Sequence, residues 1–281
     1  MNDPKQQRKL ELITRSSRLA ILVPYRNRKA YLDIFLREVP TYLEHANGIS
    51  DYAIYVAEQQ SQDLFNLALS RNVAARAALD DGESGSFVFH DVDIIPLRGV
   101  DYGPRSFNVA WFLSAGSCKV MAEDFVRANG YNPHFVGWGD EDVEFYHRLE
   151  HVGCEVKKWH QIPESRQAVI ANLEWPEVSD EQALSWSQRY FGHETSGPRF
   201  VPYRSGRESF ERYDKSRDFL GSSQQERNHA LWHRVRALSA HDKSTYIARN
   251  GLNRVNVDRA VRSSQDRIRW IKYQTADALI R

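Results

Sequence analysis

The first ordered stretch of the chain, RLAILVPY (18–25), is a nearly continuous apolar run, the pattern of a central strand buried on both faces. RKAYLDIFLREVPTYLEHA (28–46) comes next with helical spacing of Leu32, Phe35, Leu36 and Val39, and Pro40 is expected to kink or end that helix. DYAIYVAEQ (51–59) reads as a second strand, and DLFNLALSRNVAARAAL (63–79) as a second helix, rich in alanine and leucine. SFVFHDVDIIPL (86–97) reads as a third strand. Strands alternating with helices of this length predict a mainly parallel sheet covered on both faces, with ligands at the carboxyl ends of its strands. Those ends are PYRNR, EQQ and HDVD, all polar and expected to converge on one cleft.

Beyond residue 100 the pattern is less regular until GWGDED (137–142), where a helix is expected to open at Asp140 to Asp142. Acids in a first helical turn are favoured by the helix dipole alone. CEVKKWH (154–160) suits another strand and SQQERNHALWHRVRALSA (223–240) another helix. Residues 161–222 are poorly periodic and read as an insertion or loop region. The expected division is a polar leader at 1–17, one domain over 18–257 containing that insertion, and a polar extension at 258–281.

Composition narrows the function classes. Lysine and arginine total 38 against 37 acids in 281 residues, so no global basic excess points to nucleic acid. Two cysteines, Cys118 and Cys154, exclude a disulfide framework and read as small buried apolar residues. No apolar run is long enough to anchor the chain in a membrane, and a cytoplasmic location is the expectation.

Three clusters could carry chemistry. Asp91 and Asp93 leave an apolar strand one residue apart, and their hard oxygens suit Mg²⁺ or Mn²⁺ beside a diphosphate; a solvated turn is an equally good reading. Arg26 and Arg28 have the fork that suits phosphate, or are surface arginines at a helix start. Trp138 could stack on a sugar ring with a carboxylate beside it to take a hydroxyl proton, or sit in the core beside an ordinary acidic turn. His229 and His233 lie four apart on a helix and, without an acidic partner, read as a solvated face.

Taken in order, PYRNR, FNLALSRNVA, HDVDIIPL with DYG, GWGDEDVEFYHRL and RNGLNRVN resemble the β-1,4-galactosyltransferase family, and the aspartate and GWG motifs are similar to its xylosylprotein branch. The resemblance covers residues 18–153 and the segment around 223–257. It implies an α/β, GT-A-type Rossmann-like glycosyltransferase domain and an inverting, Mn²⁺-dependent transfer of Gal or GalNAc from a UDP-sugar to a glycan acceptor. By position it implies that Pro24, Arg26 and Arg28 border the diphosphate, Phe65 packs on the uracil, Asp93 binds Mn²⁺ and Asp91 touches donor sugar or ribose. Trp138 would line the donor and acceptor pocket, Glu141 and Asp142 would hold the acceptor, and Asp142 would be the general base.

The chain departs from the family at named places. The motif FNRA reads Phe65-Asn66-Leu67-Ala68, so an arginine near the nucleotide is missing. The third acid after GWG-ED is Val143, with Glu144 restoring the xylosylprotein-like spacing. The stretch between DYG and WFLSAGS is shorter than usual. Leu113 stands where galactose-using members carry a tyrosine, which leaves UDP-galactose and UDP-N-acetylgalactosamine both open as donors. A second metal ligand, a histidine about thirty residues past GWG, has no clear counterpart; His193 is the choice, with Tyr213 a competing occupant of that place. These departures motivate an alternative from another class, a non-catalytic GT-A-like module that binds sugar or protein.

Overall fold

The computed structural model describes residues 17–278, apart from 83, 104–108, 115, 138, 159–167, 177, 192–198, 205–220 and 259. Every residue of β1 (Leu19–Tyr25) is buried, as its apolar run requires. It lies between β2 (Tyr52–Gln59) and β3 (Ser86–His90), parallel to both. Helix α1 (Lys29–Ala46) crosses from β1 to β2, and α2 (Leu67–Asp81) from β2 to β3. Pro40 lies inside α1 without ending it: Val39, Tyr42 and Leu43 on either side of it are buried and hold the helix to the core.

The expected third strand is two strands. β3 stops at His90, and β4 (Ile94–Arg98) leaves for a different sheet, so Asp91-Val92-Asp93 is the bend between them. Val92 and Ile94 face the core, and the run reads as continuous because both halves are buried. The main sheet then gains β5 (Val109–Ser114) and β6 (Ser117–Met121), after which comes the short helix α3 (Ala122–Arg127). Helix α4 (Glu141–His151) leads into β7 (Glu155–Lys158), as the CEVKKWH pattern anticipates.

The 161–222 region is more ordered than its weak periodicity suggests. β8 (Val169–Asn172), α5 (Asp180–Phe191) and β9 (Arg199–Pro202) form within it, and β4, β8 and β9 make a three-stranded sheet. Strands of four residues are too short for a readable period, yet Ile170, Ala171, Leu173 and Phe200 are fully buried among the side chains of α1.

Helices α6 (Gly221–Arg236) and α7 (Ala240–Arg249) pack over α4. The residues expected to form a polar extension also belong to the domain. β10 (Val261–Gln265) and β11 (Ile268–Tyr273) form a hairpin, and β11 pairs parallel with β2 from Ile268↔Ile54 to Tyr273↔Gln59. The last element is a short helix, α8 (Thr275–Ala278). The main sheet thus runs β10-β11-β2-β1-β3-β6-β5-β7, parallel through its β11-β2-β1-β3 centre, with helices on both faces. No helix among the described residues is long and apolar enough to cross a membrane.

Candidate active site

The carboxyl ends of β1, β2 and β3 lie side by side, and the loops that leave them build the site. After β1 the chain turns at Asn27, whose φ of 52° is a left-handed value that asparagine tolerates. The turn separates Arg26 from Arg28. Arg26 is buried; its Nη1 donates to the Asp63 carbonyl at 2.5 Å, and its guanidinium lies 5.4 Å from the centre of the Phe65 ring. Phe65, expected against a uracil, is buried beneath that cation. Pro24 is buried near the end of β1, where pairing with β3 has already stopped at Leu22, so its missing amide hydrogen is tolerated.

Asn66 starts α2 and joins it to the GWG segment. Its Oδ1 accepts from the Leu69 amide at 2.8 Å as an N-cap, and its Nδ2 donates to the Pro133 carbonyl at 2.8 Å. The Gly137 amide donates to the Phe65 carbonyl at 2.9 Å. The start of α2 and the approach to α4 are thereby fixed to one another. Trp138 itself lies outside the described residues, as do His193 and Tyr213. Leu113 has its backbone in β5, and its side chain is outside the described set.

The centre of the site is a residue the sequence did not single out. Arg71, one turn into α2, is buried and reaches three carboxylates. Its Nη1 lies 2.5 Å from Asp142 Oδ1 and 3.8 Å from Glu141 Oε1, and its Nη2 lies 3.1 Å from Asp91 Oδ1. Beneath it the Tyr131 ring centre is 4.9 Å from the guanidinium carbon. Burial opposes the charge on Arg71, but the carboxylates of Asp142 and Asp91 outweigh it and hold the group firmly protonated. The available signal was slight: an arginine inside an alanine-rich helix, one helical turn after Leu67, where an arginine is missing.

The two expected acid clusters do meet. Asp91 leaves the end of β3 and Glu141 and Asp142 open α4, and Arg71 holds all three together. Burial raises Asp91 to about 6, against the opposing pull of Arg71. Burial, with the charge of Asp142 beside it, raises Glu141 to about 8, so Glu141 is a proton carrier at neutral pH. Asp142 is the open member of the set, with 40% of its side chain exposed. Gly116 gives Asp91 its space: with φ 91°, a Cβ there would stand 2.9 Å from Asp91 Oδ2.

Glu144 has a different task. Both its oxygens accept from Arg148 Nε at 2.7 Å, and both side chains are buried, so the acid that restores the family spacing is structural. His229 does have an acidic partner: its Nδ1 is 3.3 Å from Asp140 Oδ2, and His233 Nε2 is 3.0 Å from its Nε2. Both histidines are exposed, so the solvated face read from the sequence holds, with the added contact that links α6 to the residue preceding the acids. Cys118 and Cys154 are free and buried, as expected.

Asp93 lies on the far side of the site. It is 8% exposed, and its Oδ2 is 3.9 Å from Arg28 Nη1. The same Arg28 nitrogen is 3.4 Å from Glu174 Oε1 in the turn after β8. Among the described residues, no group of three or more His, Cys, Asp or Glu side chains is placed to hold a metal ion.

Two family models match the chain. The N-terminal region of glycosyl transferase group 7 covers residues 10–102, and the N-terminal domain of galactosyltransferase covers residues 108–169. The two matches are consecutive and together span more than half of the chain. The chain belongs to the β-1,4-galactosyltransferase family. Bovine (Bos taurus) β-1,4-galactosyltransferase 1 is 32% identical over 160 residues, 50% of this chain and 38% of that protein. Pig (Sus scrofa) β-1,4-galactosyltransferase 5 is 32% identical over 156 residues, 50% of this chain and 40% of that protein. The chain therefore aligns with well under half the length of these relatives.

Membership of this family agrees with the fold. The catalytic domain of Drosophila β-1,4-galactosyltransferase 7, solved with xylobiose, superposes with a TM-score of 0.57 at 20% identity, covering 91% of this chain and 92% of that one. A mutant of the same Drosophila enzyme, solved with manganese, UDP-Gal and xylobiose, gives a TM-score of 0.58 over the same shares. The architecture is that of the GT-A glycosyltransferases.

Proposed function

We propose that the protein is an inverting, metal-dependent glycosyltransferase that moves galactose from UDP-galactose to a hydroxyl of a glycan acceptor. The observation that carries this reading is the meeting of Asp142 and Asp91 on Arg71. It puts an open carboxylate from a helix start beside a half-buried one from a strand end, at the carboxyl ends of the central strands, where ligands of α/β sheets bind. The Drosophila relative crystallised with manganese, UDP-Gal and xylobiose shares the fold, which supports a UDP-sugar donor, a divalent cation and a sugar acceptor here.

Asp142 acts as the general base. Its Oδ1 is held by Arg71, which leaves Oδ2 to accept the acceptor's hydroxyl proton. As that proton moves to Asp142, the hydroxyl oxygen forms its bond to the anomeric carbon and the bond to the UDP oxygen breaks on the opposite face. The configuration inverts, and UDP leaves with the electron pair. Glu141, carrying its proton near neutral pH, is a hydrogen-bond donor to the sugars, while Asp91 is an acceptor for a donor-sugar hydroxyl.

The residues at the other end fit a hard divalent cation. Asp93 is a buried oxygen donor beside Arg28, and Mg²⁺ or Mn²⁺ typically binds through one or two carboxylates completed by substrate phosphates. When bound, the cation offsets the charge that develops on the departing diphosphate. Arg26 and Arg28 supply fixed positive charge on the same side of the site.

Calorimetry with UDP, with and without Mn²⁺, tests the first step: binding should tighten with Mn²⁺, and silence in both arms overturns the reading. A panel of UDP-sugars then tests donor choice, with UDP-Gal expected to turn over and UDP-GalNAc the competing arm set by Leu113. Complete absence of Mn²⁺-dependent UDP release from every donor would leave the binding-only module instead.

A further inference from the structure

We infer that Val143 selects the acceptor by presenting an apolar surface beside the base, against which the acceptor sugar lays carbon-bound hydrogens and not a hydroxyl. The inference rests on the glycosyltransferase reading above and concerns the acceptor side of that site.

The first turn of α4 holds three acids and one valine, and the acids are all engaged. Glu141 is buried, 3.8 Å from Arg71, and its Oε2 accepts from the Gly139 amide at 3.1 Å. Glu144 is buried against Arg148, which donates to both its oxygens at 2.7 Å. Asp142 gives Oδ1 to Arg71 and has 40% of its side chain exposed. Val143 is the other open residue of the turn, at 36%. Successive residues of a helix stand about 100° apart, so an acceptor ring that brings its hydroxyl to Asp142 has Val143 on its flank.

Helix formation does not explain the valine. The dipole favours acids in a first turn, and a β-branched side chain loses χ1 freedom there. Core packing does not explain it either, since Val143 belongs to none of the hydrophobic clusters among the described residues. Leu97, Val143, Leu184 and Val261 are the exposed large apolar side chains among those residues, and of the four only Val143 is next in sequence to the proposed base.

One turn further on, the same face of α4 carries His147. Its ring stacks on Trp232 of α6 with centres 4.7 Å apart, and 46% of its side chain is exposed. Val143 and the stacked ring thus line one strip that leads from the base toward α6. A hydroxyl laid on Val143 would give up water and find no partner in the isopropyl group, whereas C–H groups give up no hydrogen bond.

The test is a deoxy series: methyl β-glucoside, methyl β-xyloside and their monodeoxy analogues as acceptors, with Mn²⁺ and the UDP-sugar that the chain hydrolyses fastest. The constant kcat/KM is measured for the wild type, for Val143→Thr, which keeps the side-chain shape and adds a hydroxyl, and for Val143→Asp. At one ring position, removal of the hydroxyl should favour the wild type and disfavour Val143→Asp, a coupling of about tenfold carried by the acceptor KM, with Val143→Thr between them. Each ratio is taken between acceptors on one protein, so loss of folded enzyme cancels. A valine with only a structural role would leave every ratio unmoved. No coupling at any position overturns the inference, as does refusal of the whole series by a chain that hydrolyses its donor. If no UDP-sugar is hydrolysed with Mn²⁺, with or without acceptor, the glycosyltransferase reading falls and the inference with it; the other outcomes leave that reading standing.

Discussion

Arg71, from inside helix α2, donates through Nη1 to Oδ1 of Asp142 at 2.5 Å. Its other terminal nitrogen holds Asp91 at 3.1 Å, so a single planar fork sets the separation of the proposed base and the donor-side carboxylate. The guanidinium is buried, and its counter-charges come from two elements far apart in sequence.

Arg71→Met should leave Asp91, Glu141 and Asp142 without their cation and cost about 3 kcal/mol of stability, the low end for a broken buried pair because Asp91 and Asp142 are part-exposed. Transfer should fall by on the order of a hundredfold as Asp142 loses its placement. Arg71→Lys keeps the charge without the fork, so stability should return more fully than kcat. Chemical denaturation, steady-state kinetics and UDP–Mn²⁺ calorimetry separate these effects. An Arg71→Met enzyme with normal kcat would remove Arg71 from the site's machinery.

Gly116 sets the position of Asp91 from the other side. A methyl group there would meet Asp91 Oδ2 at 2.9 Å and Ile94 Cγ1 at 3.0 Å, on a backbone with φ 91° that alanine adopts with strain. Gly116→Ala should therefore raise KM for the sugar donor and lower kcat, while UDP binding, which does not use Asp91's sugar contact, should change little. Equal losses for UDP and UDP-sugar would point to general unfolding of the bend.

Legibility in the sequence tracks the length of each element's period. β1, β2 and α2 are legible because each is long enough for burial to write a pattern, and Asp91 and Asp93 are legible because an apolar run ends at them. The split of that run between two sheets is hidden, since both halves are buried. Glu174 is hidden by β8, whose four residues are too few to declare a strand. Arg71 is hidden for another reason: Ser70, Arg71 and Asn72 are all buried, so α2 has no polar face to distinguish a site residue from a solvated one. β11 reads as an extension because Arg269 and Lys272 interrupt its apolar residues without a regular period.

The motif RNGLNR is explained by packing. A Cβ on Gly251 would stand 1.9 Å from the Asn129 carbonyl oxygen and 2.9 Å from Arg148 Nη1, and the next amide, Leu252, donates to that same carbonyl at 2.6 Å. The obstruction is backbone on one side and a buried ion pair on the other, so neither gives way cheaply. Gly251→Ala should cost about 3 kcal/mol, at the upper end for overpacking, and lower Tm by roughly 5–10 °C. The kinetic constants of the folded fraction should be nearly unaltered, because the residue touches no group in the site. A thermal melt beside an activity assay checks both halves.

Stability should depend on pH through groups with opposite slopes: His90 on one side, and Glu141 and Asp91, both raised in the folded chain, on the other. His90 is held neutral by burial, which lowers it from 6.5 to about 4; its Nε2 pairs with the Tyr102 hydroxyl at 2.7 Å and its Nδ1 with the Asp91 carbonyl at 2.9 Å. As pH falls through this window the unfolded chain gains a proton that the folded one refuses, so stability drops on the acid side. Glu141 behaves in reverse. Burial and Asp142 raise it from 4.5 to about 8, so the folded chain keeps a proton the unfolded one has lost, and stability falls as pH rises from about 4.5 through 8. Urea denaturation across this range should show a maximum between the two limbs. Glu141→Gln should flatten the alkaline limb above about pH 6, the part that Asp91 does not carry, and leave the acid limb in place. If the slope between about pH 6 and 8 survives that substitution, Glu141 is ionised in the folded protein and its role as a proton-bearing donor to the sugars is lost with it.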